Sequence, residues 1–183
     1  MSFHIKVRGH KALARKLTMA PPAIKRAAKQ IMITGGLRIQ AEAQRITPVL
    51  IGNLKASAYT AWSPGLGSSG MALTTPFFKS RRGADTGRLT SGHARETAAS
   101  KGRCGARQSA GGIRVEVGFS AYYALYVHEN LQAKHGAART KPRKGGSGQQ
   151  AKFLKKAADK IGPSVVSALW TAVEIGFREG MMK

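Results

Sequence analysis

The chain is 183 residues long and carries 31 Lys and Arg against 8 Asp and Glu, a formal net charge of +23 at pH 7. Such a surplus repels itself in the compact state and is best accommodated beside a polyanion, nucleic acid first; a membrane surface competes, but no segment pairs its Lys and Arg with a broad Trp, Phe and Leu face. The single Cys104 excludes an intrachain disulfide and a thiolate metal site, and no apolar run reaches the ~18 residues of a membrane span.

The first segment, MSFHIKVRGH, lacks the apolar core of a signal peptide, so one soluble intracellular domain over residues 1–183 is expected. Within it Phe3, Ile5 and Val7 alternate with His4, Lys6 and Arg8, which predicts a strand over 2–8. Lys11 to Leu17 reads as a short basic helix that stops before Pro21 and Pro22. Ile24, Ala28, Ile31, Gly35, Ile39, Ala43 and Ile46 then recur at steps of three or four, which predicts a helix of about six turns ending at Thr47 and Pro48. Gly35 and Gly36 in its middle mark either a kink or the close approach of another backbone, as in a multi-subunit packing. Lys55 to Trp62 reads as a strand, SPGLGSSG (63–70) as turn chemistry, and 71–78 as a hairpin partner.

Residues 79–112 hold eight basic side chains among Gly, Ser, Thr and Ala, with Leu89 as the single large aliphatic. Too little apolar surface is available there to offset ordering entropy, so a basic loop insertion, mobile on its own and held by neighbouring subunits, is expected. Ile113, Val115 and Val117 alternate with Arg114 and Glu116 as a strand closed by Gly118, and AYYALYVHEN (121–130) crowds apolar surface into core or interface. Residues 132–150 form a second basic, linker-like loop. Helix returns with Phe153, Leu154, Ala157 and Ile161, and Pro163 is expected to break or restart it before Val166, Leu169, Trp170, Val173 and Phe177.

Catalytic chemistry is not expected. The carboxylates are scattered singly, His128 and Glu129 read as neighbours pointing to opposite faces of a strand, and His93 and His135 have no ligand companions at metal spacing. GGSGQQAKF (145–153) lacks the GxxxxGK[ST] pattern of a phosphate loop, and no serine sits in a GxSxG turn. No cofactor, metal or small-molecule ligand is expected.

The order of the pieces carries a resemblance. TPVLIGNLKAS (47–57), VEVGFSAYYALYVHEN (115–130) and AKFLKKAADKI (151–161) resemble, in sequence order, the gene-product-ten-like minor tail, or tail-completion, proteins of long-tailed bacteriophages. In that family a helix ends in P-V-D-T-G-N-L-x-x-S, a strand leads into Y-A-x-Y-V-E-x-G, and P-F-L-x-x-A-L opens the last helix. Pro48, Val49, Gly52, Asn53, Leu54 and Ser57 match the first motif, Tyr123, Ala124, Tyr126 and Val127 the second, and Phe153, Leu154 and Ala157 the third. Leu50 and Ile51 stand where Asp and Thr are usual, and Asp85, Thr86, Gly87 and Leu89 spell the missing DTGxL downstream, so either 47–57 or 84–91 is the equivalent of the first motif.

The resemblance implies a virion structural protein of the neck, joining head and tail as part of a homo-oligomeric ring. Other neck and tail proteins would be its partners, packaged DNA would pass nearby, and the chain would reside in the host cytoplasm before assembly. The expected fold is α+β, with long N- and C-terminal helices packed on an antiparallel sheet of three or four strands. Arg81, Arg82, Arg88, Arg95, Lys101, Arg103 and Arg107 in the first insertion, with Lys141, Arg143 and Lys144 in the second, are the expected polyanion-facing set. Tyr122, Tyr123, Tyr126 and Val127 are the expected interface. A sequence-nonspecific nucleic-acid-binding protein is the alternative class.

Overall fold

Proline opens the second helix of the chain and a turn of extended backbone closes it. In the computed structural model, which describes residues 10–48, 52–62, 71–72, 78–80, 85–109, 112–130 and 151–181, α1 (His10–Met19) gives way at Ala20 and Pro21 to α2 (Pro22–Ile46). Pro22 sits in the first turn, where its missing N–H costs nothing. At the far end Thr47 is extended, and its Oγ1 donates to the Ala43 carbonyl at 2.6 Å. A single turn, α3 (Asn53–Ala56), leads into β1 (Ala58–Trp62), which pairs antiparallel with β2 (Met71–Ala72) on one side and with β3 (Val115–Phe119) on the other. Between β2 and β3 runs α4 (Thr86–Ser109), and after β3 come α5 (Ala124–Glu129) and α6 (Phe153–Met181). The expected α+β class is the one observed.

Every residue of β1 is buried, because the sheet is covered on both faces. On one face Thr60 donates to Gln40 Oε1 of α2 at 2.6 Å, and a methyl group at Gly36 would fall 2.8 Å from Val115 Cγ1 and 3.0 Å from Thr60 Cγ2. On the other face Tyr59 and Ala61 lie under α4. This two-residue alternation makes the strand the middle layer of three.

Along α2 lies α6, antiparallel: Gly35 is beside Val165, Ile24 beside Gly176, and Lys160 Nζ donates to Glu42 at 2.8 Å. Gly35 and Gly36 therefore mark close approaches, of a helix and of a sheet, made within one chain rather than between subunits. One core joins Ala43, Ile46, Leu54, Ala58, Leu89, Phe119, Phe153 and Leu154; a second joins Leu13, Ala20, Ile24, Ala28, Leu169 and Val173 under α1.

Four expectations change. Residues 79–112 do not form a loop insertion: 86–109 are a 24-residue helix. Its N-terminus is capped by Asp85, whose Oδ1 accepts from the Arg88 N–H at 2.8 Å and whose carbonyl accepts from Leu89 N–H. Pro163 does not break the last helix, which is continuous through it; the ring sits on the exposed side. The strand expected from Lys55 begins at Ala58, after the turn of α3. His128 and Glu129 are on a helix, not a strand, and their side chains meet. The expected strand over 2–8 and the loop over 132–150 lie outside the described residues.

Candidate polyanion-facing and assembly surfaces

Described residues of all three sequence motifs meet in one core, while Val49 of the first lies outside the described residues. Gly52 precedes α3 with φ +89°, a left-handed conformation that glycine adopts without strain. Next to it Asn53 is buried and clamps the chain at Lys79, its Nδ2 donating to the Lys79 carbonyl at 2.9 Å and its Oδ1 accepting the Lys79 N–H at 2.7 Å. Leu54 enters the core beside Phe153 and Leu154. Ser57 is fully buried, its Oγ donating to the Leu54 carbonyl at 2.7 Å and its own carbonyl accepting from the Ser120 N–H at 3.0 Å. Phe153 stacks edge-on against Phe119 and His128, each with ring centres 4.9 Å apart. Pro48 is half-buried at the end of α2. Residues 52–57 stand at the entry to the sheet, whereas Asp85, Thr86, Gly87 and Leu89 open α4; both stretches start helices.

α4 is held to the sheet by polar contacts. Its buried stripe is Leu89, His93, Thr97, Ser100 and Cys104, of which Leu89 and Cys104 alone are apolar. Tyr59 of β1 donates to Glu96 at 3.3 Å and shares a hydrogen bond with Ser100 at 3.1 Å, and its ring covers Gly118 on the next strand. Arg103 reaches Glu116 of β3, Glu96 and Ser100 together, and Arg114 also pairs with Glu116. Burial pushes the Tyr59 phenol up to about 12, with the Ser100 bond opposing it. Burial also raises the Glu116 carboxyl, but hydrogen bonds from Arg103 and Ser100 and the nearby positive charges prevail and hold it below the usual carboxylate range. Glu96 and Glu116 thus form a carboxylate pair that sequence spacing does not reveal. Both are tied to Arg103.

Two histidines are buried and kept neutral. His93 meets Ser120 Oγ through Nδ1 at 2.7 Å, packs edge-on to Tyr59 and Phe78, and burial lowers its pKa. His128 is 2% exposed, and burial lowers its pKa too, against the opposing pull of Glu129. Among the described residues no group of three or more His, Cys, Asp and Glu is placed to hold a metal, and no helix is long and apolar enough to cross a membrane.

Three further carboxylates are consumed locally. Glu42 pairs with Arg45 and Lys160, whose hydrogen bonds hold it down at about 2; Glu129 pairs with Lys152 at 2.6 Å and Asp159 with Lys155 at 2.6 Å. What remains is an uncompensated basic surface. On the outer side of α4 Arg88 and Arg95 face solvent a little under two turns apart, with Arg107 exposed at its end. Lys101 lies half-buried on one flank. Arg103 does not belong to the polyanion-facing set: its guanidinium is spent on Glu116 and Glu96. Arg81, Arg82, Lys141, Arg143 and Lys144 lie outside the described residues.

No protein-family model, curated protein or solved structure matches the chain. Its own surface therefore carries the functional reading. Of the expected interface residues, Tyr122 is 53% and Tyr126 73% exposed, while Tyr123 and Val127 are half-buried against the core. The Arg88 guanidinium lies 4.1 Å from the centre of the Tyr122 ring, joining the basic face of α4 to the turn that leads into α5.

Proposed function

We propose that the chain is a noncatalytic structural protein of a bacteriophage neck, completing the tail and joining it to the head as one subunit of a ring around the DNA path. The observation that carries the reading is the convergence of the three motif segments: Leu54, Phe153, Leu154 and the second-motif residue Ala124 share one core, with Tyr123 and Val127 packed against it. A basic surface supports it, because a ring whose bore passes DNA gains from cations that neutralise phosphates without reading bases. Before assembly the chain resides in the host cytoplasm, and in the particle it contacts other neck and tail proteins. The test is native mass measurement of the purified chain, alone and mixed with heads and tails of the particle that encodes it. Incorporation as a multimer is expected. A persistent monomer that never joins particles, or a free monomer that grips duplex DNA and loses ~10³-fold in affinity between about 50 and 200 mM salt, overturns the neck reading in favour of a sequence-nonspecific nucleic-acid-binding protein.

A further inference from the structure

We infer that successive copies of the chain join head to tail through two different patches: Arg88, Tyr122 and Tyr126 of one copy seat on Glu174 and Ile175, at the edge of a charge-free stretch of α6, in the next. The inference rests on the ring reading above and names the surfaces that close it.

Charge limits where two copies can meet. Each carries a formal +23, so contact between basic faces is opposed at every approach. Against that background Ile161 to Val173 of α6 contains no charged residue. The outward side of that stretch is Ser164, Ser167, Ala168 and Thr171, all exposed, and Ile175, 50% exposed, extends it by one turn.

Beside Ile175 stands Glu174. The carboxylates of Glu42, Glu96, Glu116, Glu129 and Asp159 each have a cationic partner in the chain, and Asp85 caps α4. Glu174 is exposed and has no such partner among the described residues. On the other patch Arg88 is exposed, pairs with no carboxylate among the described residues and sits over the Tyr122 ring, and Tyr126 stands exposed on α5. Arg and Tyr, rigid and amphipathic, are the side chains that dominate binding energy at interface centres. One patch offers a cation with two aromatic rings; the other offers an anion with an exposed aliphatic side chain.

Their positions complete the argument. Arg88 belongs to α4, on one face of the sheet, and α6 packs along α2, which covers the other. An interface that uses both patches is heterologous: each copy keeps one of each free to continue the series, and a suitable rotation closes it into a ring.

The experiment uses the full chain. Arg88→Glu and Glu174→Arg, made singly, place like charges across the interface and are expected to weaken self-association by roughly tenfold or more in sedimentation equilibrium, while the doubly swapped chain recovers most of the loss. Because Cys104 is buried, single Tyr126→Cys and Ile175→Cys variants report contact cleanly: a disulfide is expected when the two are mixed and in neither alone. Circular dichroism melting confirms that each variant is folded. Assembly undiminished in both single variants, or cross-linking of either cysteine variant with itself, overturns the inference and leaves the ring reading standing. A chain that stays monomeric at every concentration and on assembled tails overturns both.

Discussion

The guanidinium of Arg103 in α4 lies against the carboxylate of Glu116 in β3, with Nε 3.0 and 3.1 Å from its two oxygens and one terminal nitrogen 2.8 Å from Oε2. Glu116 is 8% exposed, so removing the arginine leaves a buried charge with Arg114 as its remaining cation. Arg103→Met is expected to cost about 2 kcal/mol, less than a fully buried pair because the arginine itself stays one-third open to water. Urea denaturation measures it, and a loss under about 0.5 kcal/mol would show that α4 is held by other contacts.

Two glycines in helices are expected to respond in opposite directions to the same change. A methyl at Gly35 falls 2.5 and 2.9 Å from the Val165 methyls, whereas one at Gly102 meets nothing within 4 Å. Gly35→Ala should destabilise the chain by about 1–3 kcal/mol through overpacking, in spite of its better helix propensity. Gly102→Ala should stabilise it by about 0.5–1 kcal/mol through propensity alone. Thermal melting of the two variants separates them; equal shifts of one sign would mean that α2 and α6 are not packed at Gly35.

How far these features could be read from sequence depends on what held each element. The stripe from Ile24 to Ile46 is apolar at helical spacing and found α2; the alternation of Val115 and Val117 found β3. α4 escaped the same reasoning, because three of its five buried residues are polar: His93 and Ser100 bond to Ser120 and Tyr59, far away in the chain, and Thr97 donates back to carbonyls of its own helix. Its one local signal was Asp85 ahead of Thr86, Gly87 and Leu89, a capping residue before a helix. The pairing of Glu96 with Glu116 around Arg103 needs the α4 to β3 contact and has no local signature. Exposure of Tyr122 and Tyr126 beside half-buried Tyr123 and Val127 follows from the turn into α5, which the aromatic run left open between core and interface.

Acid should weaken the fold through its two buried histidines. Burial lowers the pKa of both His93 and His128 below the ordinary value of 6.5. Above that value both states hold the rings neutral, and stability does not depend on them. As pH falls below it the unfolded chain takes up protons that the folded chain refuses, so stability drops until the folded-state values are reached, by at most ~1.4 kcal/mol per pH unit for each ring. Urea midpoints between pH 8 and pH 5 report the loss, and His93→Gln should remove its own share. A midpoint that stays flat from pH 7 to pH 5 in the unmodified chain is the contrary result.

Salt dependence separates the arginines that face outward from the one that does not. Each duplex phosphate neutralised contributes about 0.9 to the slope of log affinity against log salt. If α4 presents its outer side to DNA, replacing Arg95 and Arg107, both exposed and without carboxylate partners among the described residues, should reduce that slope by about 2 for a random-sequence duplex. Arg103→Gln, studied at a temperature where the variant is folded, should leave the slope unchanged, because that guanidinium already neutralises Glu116 and Glu96. The physical distinction is between a charge available to a phosphate and one committed to a carboxylate, and fluorescence anisotropy across a salt series reads it directly. A slope that falls with Arg103 but not with Arg95 and Arg107 would place the DNA on the side of α4 that meets β3 instead of its outer face.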